Sequence, residues 1–374
     1  MNTGRTQSFK RFKISELCEL TKGSCPTLRT QPGDFPMVVT ADFRRSADGW
    51  DIAGPAVCIP LISSTGHGDA AINRVHYQEG KFALANLLVA LTPKKDAPVI
   101  AKYLYFLLGA EKDKLLVPLM MGTANVSLKP KDIADVEIDL PPIADQQKIV
   151  DLIDTAQQQL QAAAKLRLSI DREIASLLAV RFKETLTQAT WLPMREVAPL
   201  VRRNVLLEPN RQFKELGARS FGKGLFVKAD FDADAATWEK PVWIKSGDIV
   251  FSNIKAWEGA IGVAKPEHDG YIASHRYLTA VVKPEIAIPE YLLYYVLSEA
   301  GLTAVNEASP GTADRNRTTK QSSLEAIRVP VPPIAIQRQF VNLKNTIEKA
   351  AAIRAKQMVS VEAMLPALCH QVLS

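Results

Sequence analysis

The sequence predicts a mixed α/β (α+β) fold written twice. Two tandem mixed domains are separated by two long helices that pair as an antiparallel coiled coil, with the pseudo-twofold symmetry of an internal duplication. Three observations predict it. The motif Pro141-Pro142-Ile143-Ala144-x-Gln146 returns 191 residues later as Pro332-Pro333-Ile334-Ala335-x-Gln337. A Gly- and Pro-punctuated stretch with short apolar runs precedes each copy. An Ala-rich, charge-rich segment with helical periodicity follows each copy. An offset of half the chain is too long for a stacked solenoid repeat, so it means two copies of one module.

Composition bounds the function class. A chain of 374 residues suits two or three domains, and 47% hydrophobic residues suffice to build their cores. A net charge of +6 suits a nucleic-acid partner without requiring one. The four cysteines form no Cys-x-x-Cys pair, which reads as reduced thiols in a cytoplasmic protein. Neither a signal-peptide core nor an apolar run near the ~18 residues of a membrane span is present, so no membrane partner is expected.

Residues 1–144 form the first mixed domain, with β-like runs at Ala56–Leu61 and Leu87–Leu91 and a helix-like stretch around Lys102–Leu108. Residues 145–188 form the central helix, residues 189–335 the second mixed domain, and residues 336–374 the C-terminal helix. The mixed domains echo each other beyond the motif. The stretch from Ala101 to Leu108 resembles that from Pro289 to Leu297, and Gly122-Thr123-Ala124-Asn125 resembles Gly311-Thr312-Ala313-Asp314. Three echoes in one order are a strong sign of duplication.

Proline fixes φ and pushes the preceding residue out of the α region. Each Pro-Pro step therefore holds an extended exit from a strand, carried by Val136, Ile138 and Leu140 in one copy and by Ile327, Val329 and Val331 in the other. The helices should begin near Asp145, as an N-cap, and near Ile336. The first helix carries Ile149, Ile153, Ala156, Leu160, Ala163, Ile170, Ile174 and Leu177, with Arg167 at a seam position. The second carries Phe340, Leu343, Ile347, Ala350, Val361, Met364 and Leu368, interrupted by Arg354 and Gln357. Alternating steps of three and four make a coiled-coil stripe that a small domain alone cannot bury, so the helices should pack on each other. Pro366 should kink or fray the second helix near its end.

A mixed domain ending in a strand, a Pro-Pro-Ile-Ala elbow and a long helix, all duplicated, resembles the specificity subunit of type I restriction-modification enzymes. Blocks from Ala218 to Phe226, Gly247 to Ile261 and His268 to Thr279 are similar to blocks in that family's target-recognition domains, and Glu79–Asn86 matches more loosely. The resemblance covers nearly the whole chain. It implies two tandem target-recognition domains that each read half of a split double-stranded DNA target, and helices that act as the spacer. It implies a non-catalytic subunit docked by two modification (methyltransferase) subunits, which restriction (translocase-nuclease) subunits can join. No cofactor is expected on this chain; S-adenosylmethionine, ATP and Mg²⁺ belong to the partners.

Base reading needs donors and acceptors that reach base edges, with cations on the phosphates. The richest candidate is the stretch Arg315, Asn316, Arg317, Thr318 and Lys320, after the turn at Ser309 and Pro310. Thr123, Asn125, Ser127 and Lys129 correspond to it in the first half. Arg219, Ser220 and Lys223 lie in a Gly-punctuated loop that could approach a backbone closely. Asn253 and Lys255 end a strand-like run, beside Trp257, which is expected in the core. His275 and Arg276 lie between apolar runs, where His275 suits either a base contact or a structural role. Ser63, Ser64, Thr65 and His67 form a polar loop, and Arg44 with Arg45 add a basic pair.

Other chemistries fit poorly. Asp69 with Glu79 and Lys81 mimics a Mg²⁺ nuclease site, the main enzymatic alternative, but such a pairing arises readily among 40 acidic residues. A pure scaffold that ignores DNA sequence is the third reading. The histidines lack zinc spacing, and neither a nucleophile elbow nor a phosphate-binding Gly-rich loop occurs. The Asn/Asp-Pro-Pro-Tyr signature of amino-methyltransferases is also absent, which argues against a fused methyltransferase.

Overall fold

In a computed structural model the described residues are 9–65, 68–123, 125–206, 212–228, 231–232, 240–311 and 317–373. The chain divides into two compact units, Met1–Arg167 with Ala355–Ser374, and Leu168–Arg354. The helices are α1 (Ile14–Leu17), α2 (Ala101–Leu115), α3 (Pro130–Ala134), α4 (Ile143–Leu186), α5 (Met194–Val197), α6 (Pro289–Val296), α7 (Glu299–Glu307), α8 (Gln321–Ala326) and α9 (Ile334–Leu373). Among the described residues, no helix is long and apolar enough to cross a membrane.

The first unit is built on an antiparallel sheet in the order Cys18–Lys22, Leu88–Pro93, Ala56–Pro60, His76–Gln78. Its central strands are buried on both faces, which is why they read as unbroken apolar runs rather than as alternation. The period of two sorts their side chains. Val57, Ile59, Val89 and Leu91 join the core that α2 covers with Tyr103, Leu104 and Leu108. Ala56, Cys58, Leu88 and Ala90 join a second core with Met37, Phe82 and Leu84. That second core is covered by a sheet in the order Arg44–Ala47, Phe35–Val38, Lys81–Leu84, Ile52–Ala53.

The second unit repeats the two-faced strategy with a smaller sheet, Ile261–Val263, Ile249–Ser252, Tyr277–Ala280. Ile249, Phe251 and Ile261 face Tyr291 and Leu292 of α6, while Val250 faces Leu216, Val242 and Ala273. In each unit a short strand near its start pairs antiparallel with the strand before the Pro-Pro step. Lys10–Lys13 lies on Glu137–Leu140, and Thr190–Pro193 lies on Arg328–Val331. Both pairs lead into a one-turn helix, α1 or α5.

The long helices begin two residues earlier than the sequence suggests. The Pro142 carbonyl accepts the amides of Asp145 and Gln146 at 2.8 and 3.0 Å, and the Pro333 carbonyl accepts those of Ile336 and Gln337 at 2.9 and 3.2 Å. Proline thus closes the first turn, since its lack of an N–H costs nothing there. Asp145 is not the N-cap. It lies in the first turn, where its charge favours the positive helix end, and pairs with Lys148 at 2.8 Å.

α4 and α9 pack together and run antiparallel. In the second unit Phe182 packs on Phe340, with ring centroids 5.3 Å apart, and Asp171 faces Arg354 at 3.7 Å. In the first unit Ala156 and Leu160 share a groove with Leu365 and Leu368. Most of the expected stripe turns inward: Ile153 and Phe340 are buried, and Ile149, Ala156, Leu160, Ile170, Ile174, Leu343, Ile347, Ala350 and Leu368 are half-buried. Ala163, Leu177, Val361 and Met364 are more exposed, although Ala163, Val361 and Met364 line the same groove, and Ala164, Leu178, Met358 and Leu365 add to the inward face. Pro366 does not end α9, which runs on to Leu373. Beyond it Cys369, Val372 and Leu373 pack on the first unit's core, and their burial holds the last turn.

Candidate nucleic-acid interface

The recurring glutamine explains why the two frames look alike. Gln146 is fully buried. Its Oε1 accepts the Ile100 amide at 2.9 Å, and its Nε2 donates to the carbonyls of Pro98 and Pro141, each at 2.9 Å. Gln337, equally buried, accepts the Ile288 amide at 2.9 Å and donates to the carbonyls of Ile286 at 3.1 Å and Pro332 at 2.8 Å. Ile100 and Ile288 are the N-caps of α2 and α6, and neither has a side-chain cap of its own. One amide therefore locks elbow, helix start and preceding turn together. Buried polar groups need such partners, and three satisfied bonds make a rigid joint. The frame fixes where the loops emerge.

In the second unit the segment after Ile249–Ser252 is the hub of those loops. Asn253 donates its amide to the Arg276 carbonyl at 2.7 Å and accepts the Thr319 amide at 2.8 Å. The adjoining 3₁₀ turn, Ala256–Glu258, receives the loop 219–224 from the other side. Phe221 donates to the Glu258 carbonyl at 2.8 Å, Gly222 to that of Gly259 at 3.0 Å, and Ser220 Oγ to the Glu258 carboxylate at 2.9 Å. Backbone bonds thus gather four clusters that are far apart in sequence: 219–223, 253–257, 275–276 and 317–320.

Their electrostatics favour an anionic partner. Lys255 holds the Glu258 carboxyl below its usual range, with Ser220 assisting, and the 2.6 Å ion pair fixes both side chains. Trp257 is only half-buried, because Ala256 takes the enclosed position on the turn. Its ring lies under the Arg317 guanidinium at 4.6 Å and near Lys255 Nζ at 5.0 Å, a cationic stack rather than the expected core position. Arg317 also donates to the Ser309 carbonyl at 2.8 Å and to Asn306. Asn253 Oδ1, Trp257 Nε1 and His275 Nδ1 are enclosed yet have no hydrogen-bond partner among the described residues.

The remaining second-unit candidates are exposed. Thr318, Lys320, Arg219, Lys223 and Arg276 face solvent, with Arg219 stacked over Phe226 at 4.6 Å. Arg315 and Asn316 lie outside the described residues, as does His67 of the first unit.

In the first unit two polar clusters also meet. Ser63 donates its amide to the Val126 carbonyl at 3.0 Å, and Leu128 donates to that of Leu61 at 2.9 Å. Thr123, Asn125, Ser127 and Lys129 therefore lie beside Ser63, Ser64 and Thr65. The three hydroxyls are engaged in their own loop: Ser63 and Thr65 bond the Asp69 carbonyl at 2.6 and 3.0 Å, and Ser64 accepts the Asn73 amide at 3.0 Å. Arg44 is held by Gln78 and the Tyr77 carbonyl, and Arg45 by the Thr27 carbonyl.

The sequence reading missed Asn73 and Arg74. With Ser63, Ser64 and Thr40 they line a cavity of ≈ 410 Å³. Arg74 is exposed at its rim and holds the Asp42 carboxyl below its usual range. No glycine or proline marks that segment, so no loop signal was available. Lys129 and Lys320 cap the starts of α3 and α8 at the same 191-residue offset as the glutamines.

Each member of the nuclease-like pattern contacts a group outside it. Asp69 offers its backbone carbonyl to Ser63, Glu79 accepts the Tyr77 hydroxyl at 2.7 Å, and Lys81 lies 4.6 Å from the Trp50 ring centroid. Among the described residues no group of three or more His, Cys, Asp or Glu could hold a metal.

Residues 7–170 match the family described as type I restriction modification DNA specificity domain. The specificity subunit of the type I restriction enzyme MpnII from Mycoplasma pneumoniae is 28% identical over 157 residues, 40% of this chain and 44% of that protein. A protein of that organism named putative type I specificity subunit S.MpnORF615P is also 28% identical over 157 residues, covering 59% of its length. The chain thus spans about half the length of the curated relatives it matches. Solved structures extend the fold likeness to the whole chain. The HsdS subunit from Thermoanaerobacter tengcongensis aligns with a TM-score of 0.58 at 15% identity over 98% of this chain and 95% of that one. A chain from a structure of type I restriction-modification complex assembly aligns at 0.63 and 14% identity over 98% and 97%. Residues 7–170 thus match the type I restriction modification DNA specificity domain, and the likeness to type I specificity-subunit structures extends the same fold over nearly the whole chain.

Proposed function

We propose that this chain reads a bipartite double-stranded DNA target for a type I restriction-modification complex, each unit taking one half-site. The loops joined at Asn253 read one half, and those joined at Ser63 and Val126 read the other. Two modification subunits carrying S-adenosylmethionine dock on the chain, and restriction subunits using ATP and Mg²⁺ join them. The long helices, Ile143–Leu186 and Ile334–Leu373, set the number of base pairs between the half-sites. The observation that carries this reading is the pairing of one frame with unlike loops. Gln146 and Gln337 make the same three bonds, while the reading loops around them share little.

The test is a domain exchange. Residues 190–331 are replaced by the same segment of another specificity subunit, and duplexes are selected by binding to the chain with its modification subunits. One half-site should change and the other persist. Enrichment of no split motif by the parent chain would favour a scaffold that ignores sequence; change in both halves would refute independent reading. DNA cleavage by the chain alone with Mg²⁺, abolished by Glu79→Ala, would overturn the non-catalytic reading.

A further inference from the structure

Phe221 is the one described non-glycine residue with a positive φ, at 63°. For an L-residue this backbone is strained, and such strain persists only where the surroundings over-determine it. Here they do. The Phe221 and Gly222 amides are anchored on the Glu258 and Gly259 carbonyls, and the Arg219 amide on the Gly224 carbonyl at 2.9 Å. A Cβ on Gly222 would press on Leu297 at 3.3 Å, and one on Gly259 would meet the Gly222 nitrogen at 3.2 Å, so the loop has little room to relax. Glycine would adopt this backbone freely. Yet a phenylalanine stands there, and its side chain gains nothing from burial, being 77% exposed.

The surroundings indicate what the ring meets. Lys223 Nζ lies 6.0 Å from its centroid. Arg219, Lys255 and Arg317 flank the same loop system, each braced by an aromatic face. A large apolar side chain on a stiff tip, with Lys223 beside it and three further cations in the same loop system, suits a partner that offers phosphates outside and flat apolar surfaces within. Duplex DNA does so when a base step is opened, and phenylalanine is one of the residues that wedge into such steps.

We propose that Phe221 is a wedge that inserts at one base step of the half-site read by the second unit, and so selects for a step that unstacks easily. This rests on the DNA-reading function proposed above. Pyrimidine–purine steps deform most readily, so the step is expected to be of that kind.

The test uses the full chain with its modification subunits and its selected target duplex. 2-Aminopurine replaces in turn each adenine of the half-site on either strand, the methylatable adenine excepted. Wild-type binding should raise fluorescence severalfold at one step. Phe221→Ala should abolish that rise and weaken binding roughly 10–100-fold. Phe221→Trp should retain the rise. Phe221→Gly should lose it while thermal stability stays level or increases, which separates the wedge from a folding role. Binding with a flat 2-aminopurine profile, or a profile unchanged in Phe221→Ala, would overturn the wedge and leave the DNA-reading function standing. Absence of any preferred duplex for the wild-type complex would instead overturn that function.

Discussion

The two units hold their elbows in the same way and their loops in different ways. In the first, the polar loop 63–65 satisfies its hydroxyls internally and rims a cavity beside Arg74. In the second, charged and aromatic side chains form the surface, and Asn253, Trp257 and His275 keep polar atoms unpaired. The difference teaches where each kind of residue is needed. Holding a strand exit against a helix start is the same task twice, and a fully bonded glutamine does it twice. Reading two different DNA halves is two tasks, so the loops diverge while their roots stay fixed.

The comparison is broken most strongly at the glutamines. Gln146→Ala and Gln337→Ala each strand one amide and two carbonyls in a buried joint. An unsatisfied buried group costs about 1–3 kcal/mol, and partial relaxation limits the total to about 3–4 kcal/mol per site. Hydrogen exchange should localise each loss, to the start of α2 in one variant and of α6 in the other. Equal losses are expected. A gap of more than about 1 kcal/mol between the variants would mean that the two joints are not equivalent.

Acid should separate the units next. His76, buried in the first unit, has its pKa lowered from 6.5 to about 4, chiefly by burial and then by Arg44 and Arg74, against smaller opposing pulls from the Thr40 backbone and Asp42. Above pH 6.5 the imidazole is neutral whether the chain is folded or not. As pH falls from there, the unfolded chain takes up a proton that the folded unit resists until about pH 4. Stability present above 6.5 is therefore lost progressively between 6.5 and 4, on the order of 3 kcal/mol in full. Thermal melts at pH 7 and pH 5 should show the first unit weakening, and His76→Phe should flatten that slope. An unchanged slope in the variant would place the proton uptake elsewhere.

Much of this frame was legible in the sequence, because repetition and periodicity report backbone roles. The Pro-Pro elbow, both strand exits and both long helices could be read from proline geometry and apolar spacing. Gln146 and Gln337 recurred in plain view, but their role needed Pro98 and Ile286, which sit 48 and 51 residues away and carry no motif. Most of the seam was legible too; what local spacing did not reveal is that Ala164, Leu178, Met358 and Leu365 also turn inward. Trp257 was misplaced for a related reason: composition places tryptophan in the core, while here a three-residue turn and two cations hold it half-exposed. Phe221 was hidden in a Gly-punctuated loop whose signal is turn chemistry, and turn chemistry does not reveal which residue bears the strain.

The smallest expected effect is also the sharpest test of where frame ends and reading begins. Lys129 and Lys320 are both exposed, both cap a short helix, and share the frame's 191-residue offset, yet both border reading loops. If they belong to the frame, they contact phosphates at equivalent places in the two half-sites. Lys129→Ala and Lys320→Ala should then each lower the slope of log affinity against log salt by about one, with little change in base preference. If either belongs to the reading surface, its loss should relax preference at one base position and leave the slope nearly intact. Salt titrations on the selected duplex and on single-base variants separate these outcomes. Matched slope changes would extend the shared frame up to the DNA backbone. A slope change for Lys320 paired with relaxed preference for Lys129 would end it at the glutamine joint.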